Sequence, residues 1–364
     1  MKVLLITDDM LPGGISRHVT DLANGLHQKG ISVAVAATDG KFKARLNSNI
    51  RFENLFLLKV DSFDKNYFGI LPSVLHIRSL LKSEKFDIIH SHKRFTHFLV
   101  KKLNKNNIHI TSYHSVFENK KAFTTFGDYT ICCSESVRQQ MVSQYGCNPK
   151  KSKTIYNGID PFKLHNDQQK RKTYDQLGLS PNKKIIASVG QYIPSKDRVT
   201  LIKAVNELRK HYDISKIQVV LQGYGKQEKE LKNLTNSLKL NEAITFVDCM
   251  FDVEALFNIS EFMILNPVHS EGFGIVMLEA ASIGKMHIGT RVGGIPEFIE
   301  DGVIGKLIDP ENPEQLAEAI SYLLNNPGEY QRMGMNAKKK YDNEFGLDKM
   351  VNEIIGVYHS LLSK

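Results

Sequence analysis

Apolar runs of strand length, each followed by a stretch of helical period, recur along this chain. The first, Lys2 to Thr7, passes through Asp8-Asp9-Met10-Leu11-Pro12-Gly13-Gly14 into a predicted helix from about Ser16 to Lys29. Gly30 stands where a helix C-cap belongs, and Ile31 to Ala36 reads as the next strand, so the opening is one β-α-β unit. Further runs lie at Asp87 to His90, Ile108 to Thr111, Tyr129 to Cys132 and Lys153 to Tyr156, with helical stretches between them. Helical stretches between successive strands predict a mostly parallel sheet covered on both faces.

After Asn157-Gly158-Ile159-Asp160-Pro161 the chain turns polar as far as Ser180-Pro181-Asn182, and the domain junction is expected there. A second series follows at Lys184 to Gly190, Ile217 to Gln222, Ala243 to Val247, Phe262 to Leu265 and Met286 to Gly289, and the chain ends in helices. The expected domains are residues 1–165 (acceptor-binding) and 166–345 (donor-binding), with a C-terminal helix at 346–364 that packs back on the first. The fold class is α/β, with two facing Rossmann-like domains and a ligand cleft between the carboxyl ends of their strands. No period of 20 to 50 residues repeats, which excludes a solenoid.

Charge changes this picture once it is divided. Residues 1–160 hold 23 Lys+Arg against 13 Asp+Glu, and residues 161–364 hold 25 against 26. A one-sided basic domain suits phosphorylated ligands or an anionic lipid surface. Nucleic acid is not expected, because the basic residues are not interleaved with aromatics and match no helix-turn-helix, zinc-finger or RNP pattern. No apolar stretch reaches bilayer length and no signal peptide is read. Cys132, Cys133, Cys147 and Cys249 have neither CxxC nor metal-ligand spacing, so a cytoplasmic protein with reduced thiols is expected.

The most informative segment is His269-Ser270-Glu271-Gly272-Phe273-Gly274-Ile275-Val276-Met277-Leu278-Glu279-Ala280-Ala281. It follows an apolar strand, and its glycines let the backbone approach a ligand before a helix starts near Gly274 or Ile275. The unpaired amides of that helix start suit a diphosphate. Glu279, a turn further in, can accept hydrogen bonds from a ribose, and Glu271 can face the hydroxyls carried by the distal phosphate.

With these residues the chain resembles the retaining glycosyltransferases of the GT4 group, which have the GT-B architecture. Glu271 and Glu279 match that family's E-x7-E pattern, and Ser270 to Gly274 resembles its start. The likeness extends over nearly the whole chain, through the first strand and its glycine loop (Met1 to Gly14), Asn157-Gly158-Ile159-Asp160, and Gly289 to Glu297.

The resemblance implies that Glu279 binds the ribose of a nucleotide-sugar, while Glu271 and the amides of Gly272, Phe273, Gly274, Ile275 and Val276 hold sugar and diphosphate. It implies that Lys196 neutralises the departing diphosphate and that Gly14 approaches the donor phosphate or acceptor. Gly190 and Gly223 belong to turns of the nucleotide pocket, and Met250 and Phe251 contact the base. Gln191 departs from the family's usual arginine, so one cation is missing, and Arg198 is a possible substitute. His114 resembles the histidine that faces the anomeric carbon, and His92 and Arg94 are expected on the acceptor side.

His90, His92 and His97 lack zinc-helix spacing, no Asp-x-Asp occurs, and the absence of Gly-x-x-x-x-Gly-Lys-Ser/Thr and Gly-x-Ser-x-Gly argues against NTP hydrolases and serine hydrolases. The sequence therefore reads as a metal-independent, retaining hexosyl- or N-acetylhexosaminyl-type transferase without a cofactor. It would move a sugar from a nucleotide diphosphate, UDP favoured, to a saccharide or lipid-linked acceptor in surface polysaccharide or glycolipid synthesis, on or near the inner membrane face. A nucleotide-sugar epimerase or hydrolase, and a non-catalytic sugar-nucleotide-binding partner subunit, are the alternatives.

Overall fold

The computed structural model describes residues 1–55, 70–115, 117, 124–249, 252–269 and 271–363. The chain divides into two units, one made of Met1–Ile159 with Phe345–Lys364 and the other of Asp160–Glu344.

The first unit is built on a seven-stranded parallel sheet in the order β3-β2-β1-β4-β5-β6-β7. Its strands are β1 (Lys2–Asp9), β2 (Ser32–Thr38), β3 (Arg51–Asn54), β4 (Ile88–Ser91), β5 (Ile108–Tyr113), β6 (Tyr129–Cys132) and β7 (Ser152–Thr154). Side chains of β1 alternate between two apolar layers. Val3 and Leu5 join the core that holds Val19, Leu22 and Leu26, whereas Leu4 and Ile6 join the one holding Ile77, Leu80 and Val100. Period two in a strand covered by helices on both sides is why this run reads as uniformly apolar.

The helix Leu347–Leu362 belongs to this unit, with Leu347, Met350, Val351, Ile354, Val357 and Tyr358 completing its first layer. Its entry is tied to the exit of the unit: the Ile159 amide donates to the Phe345 carbonyl at 3.2 Å and the Leu347 amide to the Ile159 carbonyl at 3.1 Å.

The second unit holds a six-stranded parallel sheet in the order β10-β9-β8-β11-β12-β13. The strands are β8 (Lys184–Val189), β9 (Ile217–Gly223), β10 (Ile244–Asp248), β11 (Ser260–Leu265), β12 (His287–Thr290) and β13 (Lys306–Ile308). Counted from its first strand, the second sheet runs 3-2-1-4-5-6 and the first runs the same with a seventh strand added, the doubly wound order whose direction reverses between the first and fourth strands, where such folds bind ligands.

The polar stretch expected to mark the junction folds as a helix, Asp167–Leu177, within the second unit. Asn166 and Gln169 cap it reciprocally, and Thr173 is its buried residue. The division between units falls at 159/160, ahead of the 165/166 boundary that composition suggests, because a helix that buries so little looks like a linker in sequence.

Candidate active site

In the second unit, the loops leaving β8 and β11 bring Lys196 and Glu271 together as an ion pair. Lys196 ends a short 3-10 turn, Pro194–Lys196, and Glu271 keeps only 9% of its surface exposed. The Val268 amide donates to the Ser195 carbonyl at 3.1 Å, joining the two loops. The Glu271 carbonyl accepts from the Gly294 amide at 3.1 Å, and the Thr290 hydroxyl donates to the Pro267 carbonyl at 2.7 Å. The carboxylate is therefore held by a backbone fixed to neighbouring strands.

Asp197, beside Lys196, has φ 47°, a conformation that costs a non-glycine residue roughly 1–3 kcal/mol. Its Oδ1 accepts from the Thr200 amide at 3.1 Å, capping the helix Arg198–Leu208, and its carbonyl accepts from Asn266 Nδ2 at 2.7 Å. Those bonds hold the strained turn that presents Lys196.

Arg198 is fully buried. Its Nη1 donates to Ser188 Oγ at 2.6 Å, while Nε and Nη2 have no hydrogen-bond partner among the described residues. Burial draws its pKa down to about 10, opposed by Tyr192, Asp197 and Glu271, so the guanidinium stays charged at neutral pH. A Cβ at Gly190 would lie 2.9 Å from Nη2, which places this charge directly behind the β8 exit.

The exits of β8 and β9 touch: a Cβ on Gly223 would come within 2.0 Å of the Gly190 carbonyl, so only glycine allows that approach. Gln191 Nε2 donates to the Tyr224 hydroxyl at 3.0 Å, which commits this amide to the neighbouring loop.

From the glycine segment, Gly274 caps the short helix Ile275–Ala281. Phe273 turns inward against Phe298, with centroids 6.4 Å apart, and Val276 packs on the core around Ile185 and Leu256. Side-chain chemistry here falls to Glu271 and the half-buried Glu279. Met250 and Phe251, expected at the base, lie outside the described residues, as does Ser270.

In the first unit the corresponding strand ends carry histidines. His90 is bonded on both nitrogens, Nδ1 to Tyr358 Oη and Nε2 to Ser112 Oγ, each at 2.7 Å. His97 Nδ1 meets Ser91 Oγ at 2.7 Å, so the three sequence neighbours His90, His92 and His97 do not share a focus. His92 instead meets His114, Nδ1 to Nε2 at 3.3 Å, and His18 from the helix Gly14–Gln28 packs against both. Burial, followed by the neighbouring imidazoles, holds His92 and His114 well below the usual histidine range, and burial lowers His18 to about 4. All three are neutral at pH 7.

Arg94 stacks its guanidinium on Phe117 at 4.1 Å, and Gly14 is an exposed first residue of its helix. Sequence reading missed His18: a histidine on an amphipathic helix has no local signal, and only the sheet brings it to the strand ends.

Residues 12–162 match the family model Glycosyltransferase Family 4, and residues 169–340 match Glycosyl transferases group 1. The chain belongs to the GT4 glycosyltransferases. The first match spans β2 to β7 of the first sheet and the second spans all six strands of the second sheet, where the Lys196–Glu271 pair lies. An uncharacterised glycosyltransferase of Methanocaldococcus jannaschii is 29% identical, over 96% of this chain and 95% of its own length. The N-acetyl-alpha-D-glucosaminyl L-malate synthase of Bacillus anthracis is 25% identical, over 96% of this chain and 94% of the relative.

Among solved structures, Anabaena HepE in complex with UDP-glucose superimposes with a TM-score of 0.86 at 21% identity, covering 99% of this chain and 100% of that one. That likeness identifies the fold as GT-B. The protein is thus a GT-B glycosyltransferase, and among its described residues no helix is long and apolar enough to cross a membrane.

Proposed function

We propose that this glycosyltransferase is retaining and draws its sugar, of the hexosyl or N-acetylhexosaminyl type, from a UDP-linked donor. The observation that carries the reading is the Lys196–Glu271 pair at the switch point of the second sheet. A fixed cation offsets the charge that develops on a departing diphosphate, and a carboxylate beside it can bind sugar hydroxyls. The UDP preference is supported by HepE, whose structure holds UDP-glucose.

In the proposed step the acceptor hydroxyl oxygen forms a bond to the anomeric carbon on the face from which the diphosphate oxygen departs, through an oxocarbenium-like state. The acceptor proton passes to the leaving phosphate, so no second carboxylate of the glycosidase kind is required. Lys196 and backbone amides of residues 272–276 neutralise the diphosphate in place of a divalent metal, and Glu279 holds the ribose. Arg198 adds a second positive charge behind Gly190, compensating for the glutamine at 191. The proposal also assigns the base to the segment at Met250 and Phe251, the phosphate to Gly14, the donor sugar to His114 and the acceptor to His92 and Arg94.

A thermal-shift series with UDP, GDP, ADP and their sugar conjugates tests the donor. Ligand at 100 times its Kd adds about 2.7 kcal/mol of stability. UDP compounds are expected to give that shift and Glu279→Ala to lose it; stabilisation by GDP or ADP alone would overturn the UDP assignment. Turnover by the purified chain, lost in Glu271→Ala, separates a transferase from a sugar-nucleotide-binding partner subunit.

For the acceptor, we propose a saccharide or lipid-linked saccharide met at an anionic membrane surface on the cytoplasmic side. On the helix Ile70–Ser83, Leu71 and Leu75 are 64% and 55% exposed and share a stripe with the exposed Arg78 and Lys82. Apolar and basic groups on one exposed stripe match the requirements of interfacial binding. Co-sedimentation with anionic vesicles at low salt is expected for the full chain and is expected to weaken severalfold in Leu71→Ser/Leu75→Ser. Equal sedimentation of the two, or none, would overturn the docking face.

A further inference from the structure

We infer that His18, His92 and His114 form a binding site for a divalent transition metal, with zinc as the fitting ion. This goes beyond the transferase reading and does not rest on it.

One ring nitrogen from each of the three can be chosen so that all lie within 4.8 Å of one another. The His92 Nδ1 to His114 Nε2 separation is 3.3 Å. Two nitrogens bound tetrahedrally at the usual zinc distance of about 2.0–2.1 Å stand about 3.3–3.4 Å apart, so one edge of the coordination polyhedron is already in place. The His18 ring centroid lies 4.5 Å from that of His114 and 5.4 Å from that of His92. Bringing the widest nitrogen pair to the tetrahedral spacing requires a contraction of about 1.5 Å, within the reach of small ring rotations.

Polar satisfaction points the same way. Among the described residues, both nitrogens of His18 are buried without a hydrogen-bond partner. A buried polar atom left unpaired is destabilising, and a cation at the shared focus gives one nitrogen of His18 a partner by ligation. Asn157 Oδ1 is also buried without a partner, and its side chain lies close enough to His18 to act on its protonation. It is placed to accept the N–H of the His18 nitrogen that does not ligate, the outer contact that metal-bound histidines usually have.

The donor set selects the ion. Three neutral imidazoles, with no carboxylate in the group among the described residues, suit zinc and its neighbours, whereas magnesium, calcium and manganese require oxygen. Burial keeps all three rings in the unprotonated form that a metal needs. The ligands come from a helix, the end of β4 and the end of β5, so only the folded sheet assembles them. Three protein ligands leave a fourth position for water or for an anionic oxygen of a small ligand. His114 would then meet a ligand through the ion rather than through its own ring.

The experiment is Zn2+ titration of the metal-stripped full chain against a chromogenic chelator, with Co2+ as a spectroscopic stand-in. One equivalent is expected to bind, with the visible absorption of four-coordinate Co2+ and without a thiolate charge-transfer band. His18→Gln, His92→Gln and His114→Gln should each weaken binding at least about tenfold, and the exposed His76→Gln should leave it unchanged. If a triad variant fails to fold by circular dichroism, the wild-type Co2+ spectrum still decides. Absence of binding, a thiolate band that places the metal on cysteines, or undiminished affinity in the folded triad variants would each overturn the site.

Discussion

Lys196→Ala is expected to lower kcat by about 10²–10³, the effect of removing one group aimed at developing transition-state charge. Ground-state binding of UDP should change much less, because the diphosphate keeps its amide contacts while the charge generated as the bond to the sugar breaks is left unmatched. The variant also strands Glu271, whose carboxylate is nearly buried, and a lost partner at such a group costs about 1–3 kcal/mol. Steady-state kinetics with circular dichroism separates the two losses. A folded variant with unchanged kcat would remove Lys196 from the leaving-group step.

Gly293→Ala is the second large effect, and it deletes no functional group. Gly293 has φ 53°, and a Cβ there would stand 1.9 Å from the Glu271 carbonyl oxygen. Neither loop can yield cheaply, since the Glu271 carbonyl is also fixed by the Gly294 amide. The 271–274 loop must therefore shift, carrying the carboxylate away from Lys196. A loss of roughly 1–3 kcal/mol of stability from left-handed strain is expected, together with a fall in kcat of at least about tenfold, because displacing a reacting group by an ångström costs rates of that order or more. Activity equal to wild type at a temperature where both proteins are folded would show that the loop position is not what turnover depends on.

These two variants mark where sequence reading reached and where it stopped. Glu271 and Glu279 were legible because a strand, a glycine segment and a helix start stand in order around them, and local order is what a linear pattern records. Lys196 was singled out by resemblance, but its pairing with Glu271 joins residues 75 positions apart and is written in neither segment. The constraint on Gly293 was equally hidden: a glycine in a turn is unremarkable until the carbonyl it must clear is known. Arg198 stood in the sequence as one possible substitute among the bases; its fully buried guanidinium, hydrogen-bonded to Ser188 behind Gly190, appears only once β8 and the following helix are packed.

The sequence by itself determined the two α/β series, the parallel character of their strands and the identity of the glutamate segment, because all three follow from near-neighbour periodicity and from motifs contiguous in the chain. β3 and β13 escaped that reading, being short strands of three or four residues whose pairing comes from the neighbour rather than from their own apolar run. The tertiary structure alone decided that the polar stretch after Asp160 is a helix of the second unit. It also decided that His18, far from His92 and His114 in the chain, shares one focus with them. The physical reason is common to all of these: in a parallel sheet every adjacent pair of strands is separated by a crossover, so residues that meet at the carboxyl edge are always distant in sequence.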